Sequence, residues 1–135
     1  MGVDLVPVGR MERILERSSA KRFLQKVFSP EEIRACLAAA SPAQSFAARF
    51  AAKEAFSKAI GTGFTRGVSP RGISVAGGDR EAPSIILTGG ARAMAQRLNA
   101  SKIHLSLTHT KESACAFVVV ETADRYTDSP NGLED

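Results

Sequence analysis

Residues 46–63, FAARFAAKEAFSKAIGTG, constrain the fold more than any other stretch. Ala recurs through it, Pro is absent, and Gly61 and Gly63 close it with the residues of a left-handed cap and a flexible loop. A helix with a period of about 3.6 residues puts Ala48, Ala52, Ala55, Phe56 and Ala59 on one side. That side is predicted to be buried, and its small side chains allow close approach by whatever covers them. The other side divides into two rows, Arg49–Lys53–Ser57 and Phe50–Glu54–Lys58. Taken alone, this is a solvated surface with a Glu54–Lys58 pair worth about 0.2–0.5 kcal/mol. Two further features point to a polyanion site instead: a Gly-Thr-Gly loop within one turn of Lys58, and a second polar cluster, SLTHT, at residues 106–110.

Other segments can be arranged around this helix. Residues 2–6 read as a strand that delivers Asp4, and residues 8–20 as a helix on which Arg10, Arg13 and Arg17 share a face. Ser29, Pro30 and Glu32 form a helix start with a capping box, opening a helix over 30–40, and Ser41 opens the long one. Residues 64–83 are rich in Gly and Pro and carry Arg66, Arg71 and Arg80 in no fixed motif. Short strands at 73–76 and 84–88 are joined by a Gly77-Gly78-Asp79 turn, and a helix follows at 89–98. Alternating residues 102–108 and the apolar run 114–121 are strands, the second of them central. The order predicts a single α+β domain over residues 1–123, with an antiparallel sheet packed on the long central helix. Residues 124–135 are polar and are expected to form a disordered tail.

The bulk numbers exclude several classes. With 135 residues the chain has room for one modest core, which burial against a second subunit would extend. No run of about 18 apolar residues marks a membrane span, and no basic-then-apolar start marks a secretory signal. The expected location is cytoplasmic, and Cys36 and Cys115, without metal-ligand spacing, read as reduced thiols. A net charge of +4 favours an anionic partner. Aromatic residues at 6% and the absence of Trp argue against nucleic acid, whose single strands need stacking platforms.

Three blocks in order, GVDLV at residues 2–6, the long helix with its glycine loop, and SLTHT, resemble the holo-acyl-carrier-protein synthases. These are the small trimeric 4′-phosphopantetheinyl transferases, and the resemblance covers residues 1–121. It implies their fold and their reaction: transfer of the 4′-phosphopantetheine arm of coenzyme A to a serine of apo-acyl carrier protein, with release of 3′,5′-ADP, for fatty acid biosynthesis. It also implies Mg²⁺ held by Asp4 and Glu54, with Lys58 stabilising or protonating the leaving phosphate. Glu54 is the better candidate for the base that takes the serine proton, with Asp4 or a water as alternatives.

Around coenzyme A the resemblance sets Arg49, Phe50, Ser57 and Lys58 from the helix and Gly61, Thr62 and Gly63 from the loop. Pro83 falls at the adenine, and His109 and Thr110 reach over from the neighbouring subunit of a homotrimer. Arg10, Arg17 and Arg22 would grip the acidic carrier protein. A non-catalytic coenzyme A or nucleotide module would keep Lys58, Gly61, Gly63 and His109 but would not need two acids. A transferase for polyketide or peptide carriers usually joins two such halves in one chain. Both a free-standing enzyme and a domain of a larger synthase remain open.

Overall fold

A computed structural model describes residues 1–78 and 81–123. Asp79, Arg80 and the polar segment 124–135 lie outside the described residues. Strand β1 (Gly2–Pro7) leads into helices α1 (Val8–Glu16), α2 (Ala20–Val27), α3 (Pro30–Leu37) and α4 (Pro42–Ala59). A 3₁₀ turn at Pro70–Gly72 precedes β2 (Ile73–Ala76) and β3 (Ser84–Leu87), and α5 (Gly89–Arg97), β4 (Ala100–His109) and β5 (Ser113–Thr122) follow. The fold is α+β, as expected, with the antiparallel sheet β1-β5-β4 against α4 and a separate β2–β3 hairpin. Among the described residues, no helix is long and apolar enough to cross a membrane.

The predicted helix over residues 8–20 is corrected. It stops at Glu16, because Arg17 is extended at φ −77° and ψ 151° and Ser18 and Ser19 carry a turn. The chain then starts α2, which the sequence reading missed, and this second axis buries Leu24 and Val27. Arg17 therefore leaves the face it was predicted to share with Arg10 and Arg13. At α3 the capping box forms as expected: Ser29 Oγ accepts from the Glu32 amide, and Glu32 Oε1 accepts from the Ser29 amide. Ser41 caps α4 through the Gln44 amide.

Strand β5 is central, and its Ala114, Ala116 and Val118 are fully buried against α4. Small residues bring β1 equally close. A Cβ on Gly2 would collide with the carbonyl oxygen of Ala55. The alternation of the strand then turns Asp4 and Val6 toward the helix and leaves Val3 and Leu5 exposed on the outer face. Gly2→Ala should lower stability by about 1–3 kcal/mol, because a backbone carbonyl cannot move aside as a side chain can. Urea denaturation would measure this, and an unchanged midpoint would refute the close approach.

Helix α4 is buried on more than the predicted alanine side. Arg49, Lys53 and Ser57, expected to face solvent or ligand, are buried as well, because α3 and β2 cover that row. Lys53 Nζ is 2.7 Å from Glu32 Oε1 and also donates to the carbonyls of Pro70 at 3.0 Å and Ile73 at 2.6 Å. Its three donors are thereby used. Burial pushes the Lys53 ammonium below the usual lysine range, against the pull of the Glu32 carboxylate. Lys53 is an internal tie rather than part of a row that faces solvent or ligand.

Candidate active site

The close approach of β1 to α4 sets Asp4 beside the last turns of that helix. Lys58 Nζ donates to Asp4 Oδ1 at 2.7 Å and to the Val3 carbonyl at 3.3 Å. The Asp4 side chain is 16% exposed and that of Lys58 52%. The bond to Asp4 raises the Lys58 pKa above the ordinary lysine value, so the ammonium keeps its proton at neutral pH. Glu54 lies in the same field. Burial pushes its carboxyl up, the Asp4 charge pushes it further, and Lys58 and Arg10 pull it back. Arg10, assigned from the sequence to carrier-protein docking, is thus also close enough to act on the acid pair.

Two carboxylates with a shared field suit a hard divalent cation. Among the described residues no cluster of three or more His, Cys, Asp or Glu forms, which excludes an all-protein cage of such ligands there. Mg²⁺ does not need one, since it binds through one or two carboxylates and leaves its other positions to water and phosphate oxygens. Asp4 and Glu54 fit that donor set, and the upward shift of Glu54 is the strain that a nearby cation would relieve.

The glycine loop differs from expectation. Gly61, at φ +79°, donates its amide to the Lys58 carbonyl, and the Thr62 and Gly63 amides both donate to the Ser57 carbonyl. This is a Schellman closure of α4. The Thr62 hydroxyl donates to the Gly63 carbonyl. The three amides of this loop, expected around coenzyme A, are turned onto the helix end, whose last carbonyls are acceptors close at hand. Ser57 is buried, and its hydroxyl donates to the Glu54 carbonyl. Phe50 is half-buried and packs against Phe23, with ring centroids 6.4 Å apart.

A second centre lies toward the start of α4. Arg49 is buried, with Nη1 donating to Ser45 Oγ at 2.8 Å and Nη2 to the Gly77 carbonyl at 3.2 Å. Its Nε is buried with no partner among the described residues. Arg49 lines a cavity of about 470 Å³ together with Ser41, Gln44, Ser45, Gly78 and His109. Pro83 packs beside Gly78. Thr110 follows His109 in a turn, where its Oγ1 accepts from the amides of Glu112 and Ser113 and keeps its own proton to donate.

Within one chain the acid cluster does not line the cavity that holds Arg49 and His109. Asp4 sits opposite Ala116 on one outer strand and His109 opposite Ala114 on the other. Arg10, Arg17 and Arg22 are all exposed, on α1, at its end and on α2.

Residues 1–118 match the sequence profile of the 4′-phosphopantetheinyl transferase superfamily. The chain belongs to that superfamily. It is 40% identical over 121 residues to the holo-[acyl-carrier-protein] synthase of Clostridium acetobutylicum, covering 90% of this chain and 95% of the relative. The synthase of Koribacter versatilis is 41% identical over 120 residues, covering 89% and 95%. The solved structure of the Neisseria meningitidis synthase superposes with a TM-score of 0.81 at 31% identity, covering 90% of this chain and 96% of that one. That of the Helicobacter pylori synthase, in complex with coenzyme A, gives 0.77 at 32% identity, covering 89% and 98%. Three short sequence blocks thus led to the right superfamily, and the fold that they implied is the one observed.

Proposed function

We propose that this chain transfers the 4′-phosphopantetheine arm of coenzyme A to a serine of apo-acyl carrier protein, releasing 3′,5′-ADP, in the service of fatty acid biosynthesis. The observation that carries the reading is the Asp4–Lys58–Glu54 cluster, in a chain so similar to synthases named for that product. A serine oxygen attacks the β-phosphorus in line, and the bond to the bridging oxygen of the ADP moiety breaks. Glu54, beside Asp4 and Lys58, accepts the serine proton. Lys58, held protonated by Asp4, faces the charge that grows on the leaving phosphate. Asp4 and Glu54 would hold Mg²⁺, whose charge would offset that of the pyrophosphate.

Coenzyme A needs a second anchor, and the cavity lined by Arg49 and His109, with Pro83 beside Gly78 and Thr110 next in the chain, suits its nucleotide end. A site combining this cavity with the acid cluster of another copy fits a homotrimer. The outer sheet face supports that assembly: Val3 pairs with Phe117, and Val3, Leu5 and Phe117 are large apolar side chains left exposed. A cytoplasmic location goes with this reading. Mixing inactive Asp4→Ala and His109→Ala proteins should restore part of the activity, because some mixed interfaces would then carry both intact halves. No rescue after demonstrated subunit exchange would place the whole site in one chain.

Arg17 and Arg22 supply an exposed surface for an acidic carrier protein, whereas the charge of Arg10 acts on Glu54. Replacing both with Ala should raise the carrier-protein KM roughly 10-fold and leave the coenzyme A KM unchanged; equal rises would remove this surface from docking. The reaction itself is tested by intact-mass spectrometry of apo-acyl carrier protein incubated with this protein, coenzyme A and Mg²⁺. A mass gain of one phosphopantetheine arm, lost with EDTA, is expected. Coenzyme A binding without any mass gain would make the chain a binding module.

A further inference from the structure

Strand β2 pairs with β3 on one edge, and among the described residues no strand pairs with the other. That other edge is bonded by charged side chains. Lys53 Nζ donates to the Ile73 carbonyl at 2.6 Å, the Val75 amide donates to Glu32 Oε2 at 3.0 Å, and Arg49 Nη2 donates to the Gly77 carbonyl at 3.2 Å. The three backbone groups lie at alternate residues, the spacing of one strand edge. Ser29 Oγ meets Ser74 Oγ at 2.8 Å alongside. Glu32, Arg49 and Lys53 are all buried. Side chains of α3 and α4 therefore stand in for a third strand, and a two-stranded hairpin needs such support because it is marginal alone in water.

The support also fixes register. A slip of one residue would turn these carbonyls and this amide away from their charged partners, leaving Glu32 and Lys53 buried with unsatisfied groups. The hairpin leads to Gly77 and Gly78, and Gly78 forms part of the wall of the Arg49–His109 cavity, with Pro83 beside it. Arg49 reaches both places, since its guanidinium holds Gly77 and lines the cavity.

We propose that Glu32 and Lys53, which lie outside the cavity, are positioning residues for coenzyme A. They clamp β2 so that Gly78 and Arg49 form one binding wall. The proposal rests on the reading of that cavity as the coenzyme A anchor. Arg49 follows the Gly77 carbonyl, so loosening β2 at Val75 displaces the guanidinium and Gly78 together. Binding of the carrier protein, at the exposed arginines, does not pass through this clamp.

Glu32→Gln is the informative change. The amide offers one oxygen where the carboxylate offers two, so it cannot serve Ser29 and Lys53 on one side and Val75 on the other. The expected result is a rise of about 10-fold or more in the coenzyme A KM and Kd, with kcat and the carrier-protein KM little changed. Hydrogen exchange at the Val75 amide, and at the Gly78 amide bonded to the Glu81 carbonyl, should speed up. Ser74→Ala loses only the hydroxyl pair with Ser29 and should move the same constants by less, which keeps the test in hand if Glu32→Gln does not fold. A lowered melting temperature with unchanged coenzyme A constants would overturn the proposal, as would equal rises in both KM values. Calorimetric Kd values need no turnover. A chain that binds coenzyme A but transfers nothing would refute the reaction and still test the clamp, whereas wild-type protein that binds no coenzyme A would overturn both.

Discussion

Glu54→Gln loses at least about 10²-fold in phosphopantetheine transfer, the lower end of what a positioned proton acceptor contributes, and does so in a protein that is no less stable. The substitution keeps the shape of the side chain and removes the charge. Both roles proposed for Glu54, accepting the serine proton and sharing Mg²⁺ with Asp4, need that charge. Stability responds in the opposite sense. The folded-state pKa of Glu54 is raised, first by burial and then by Asp4, so ionising it in the folded protein costs free energy. That cost is absent in acid, below the unfolded pKa, and is fully present once pH exceeds the raised folded value. Glu54→Gln should therefore match or exceed wild-type stability at neutral pH, with the difference closing as pH falls. Lys58 keeps its bond to Asp4 in the variant, so the cluster does not come apart. Urea denaturation at neutral and acidic pH, with intact-mass assays of transfer, tests both halves. Wild-type transfer by the variant would end the assignment of Glu54.

What the sequence made legible was local or periodic. Ser29-Pro30-Glu31-Glu32 and Ser41-Pro42 announced two helix starts because caps act within one turn. The apolar run around Ala114 to Val118 pointed to a central strand, and β5 does lie between β1 and β4, although it is buried on one face only, with Phe117 exposed on the other. Asp4, Glu54 and Lys58 were found through blocks that lie far apart in the chain, and the short contact between Asp4 and Lys58 shows that two of them meet. The errors have a common origin in tertiary partners that no local window contains. Lys53 looked like a surface cation because Glu32, its partner, lies 21 residues away on another helix. The amides of Gly61, Thr62 and Gly63 looked available because their competitors are carbonyls, which a sequence does not display. Ser18 and Ser19 were a usable signal for the break before α2, since paired serines interrupt a helix more readily than the neighbouring charged residues.

Lys53→Met should cost about 3–5 kcal/mol of folding stability, the range for removing one partner of a buried ion pair. Methionine fills nearly the same volume, so packing does not account for the loss. What remains is the Glu32 carboxylate, fully buried, with the amides of Ser29 and Val75 but no cation, and the carbonyls of Pro70 and Ile73 without their donor. Many buried pairs can be exchanged for hydrocarbon at little cost. This one resists the exchange because each member also satisfies backbone groups. Glu32→Leu combined with Lys53→Met would remove both charges but orphan two amides and two carbonyls, at about 1–3 kcal/mol for each group left buried. The double variant should therefore stay well below wild type. Urea midpoints at constant m for wild type, both single variants and the double variant measure this directly. A single-variant loss under about 1 kcal/mol would show that the pair behaves as a solvated one. A double variant as stable as wild type would show that the backbone groups find other partners, and that the hairpin does not depend on the charges that hold its edge.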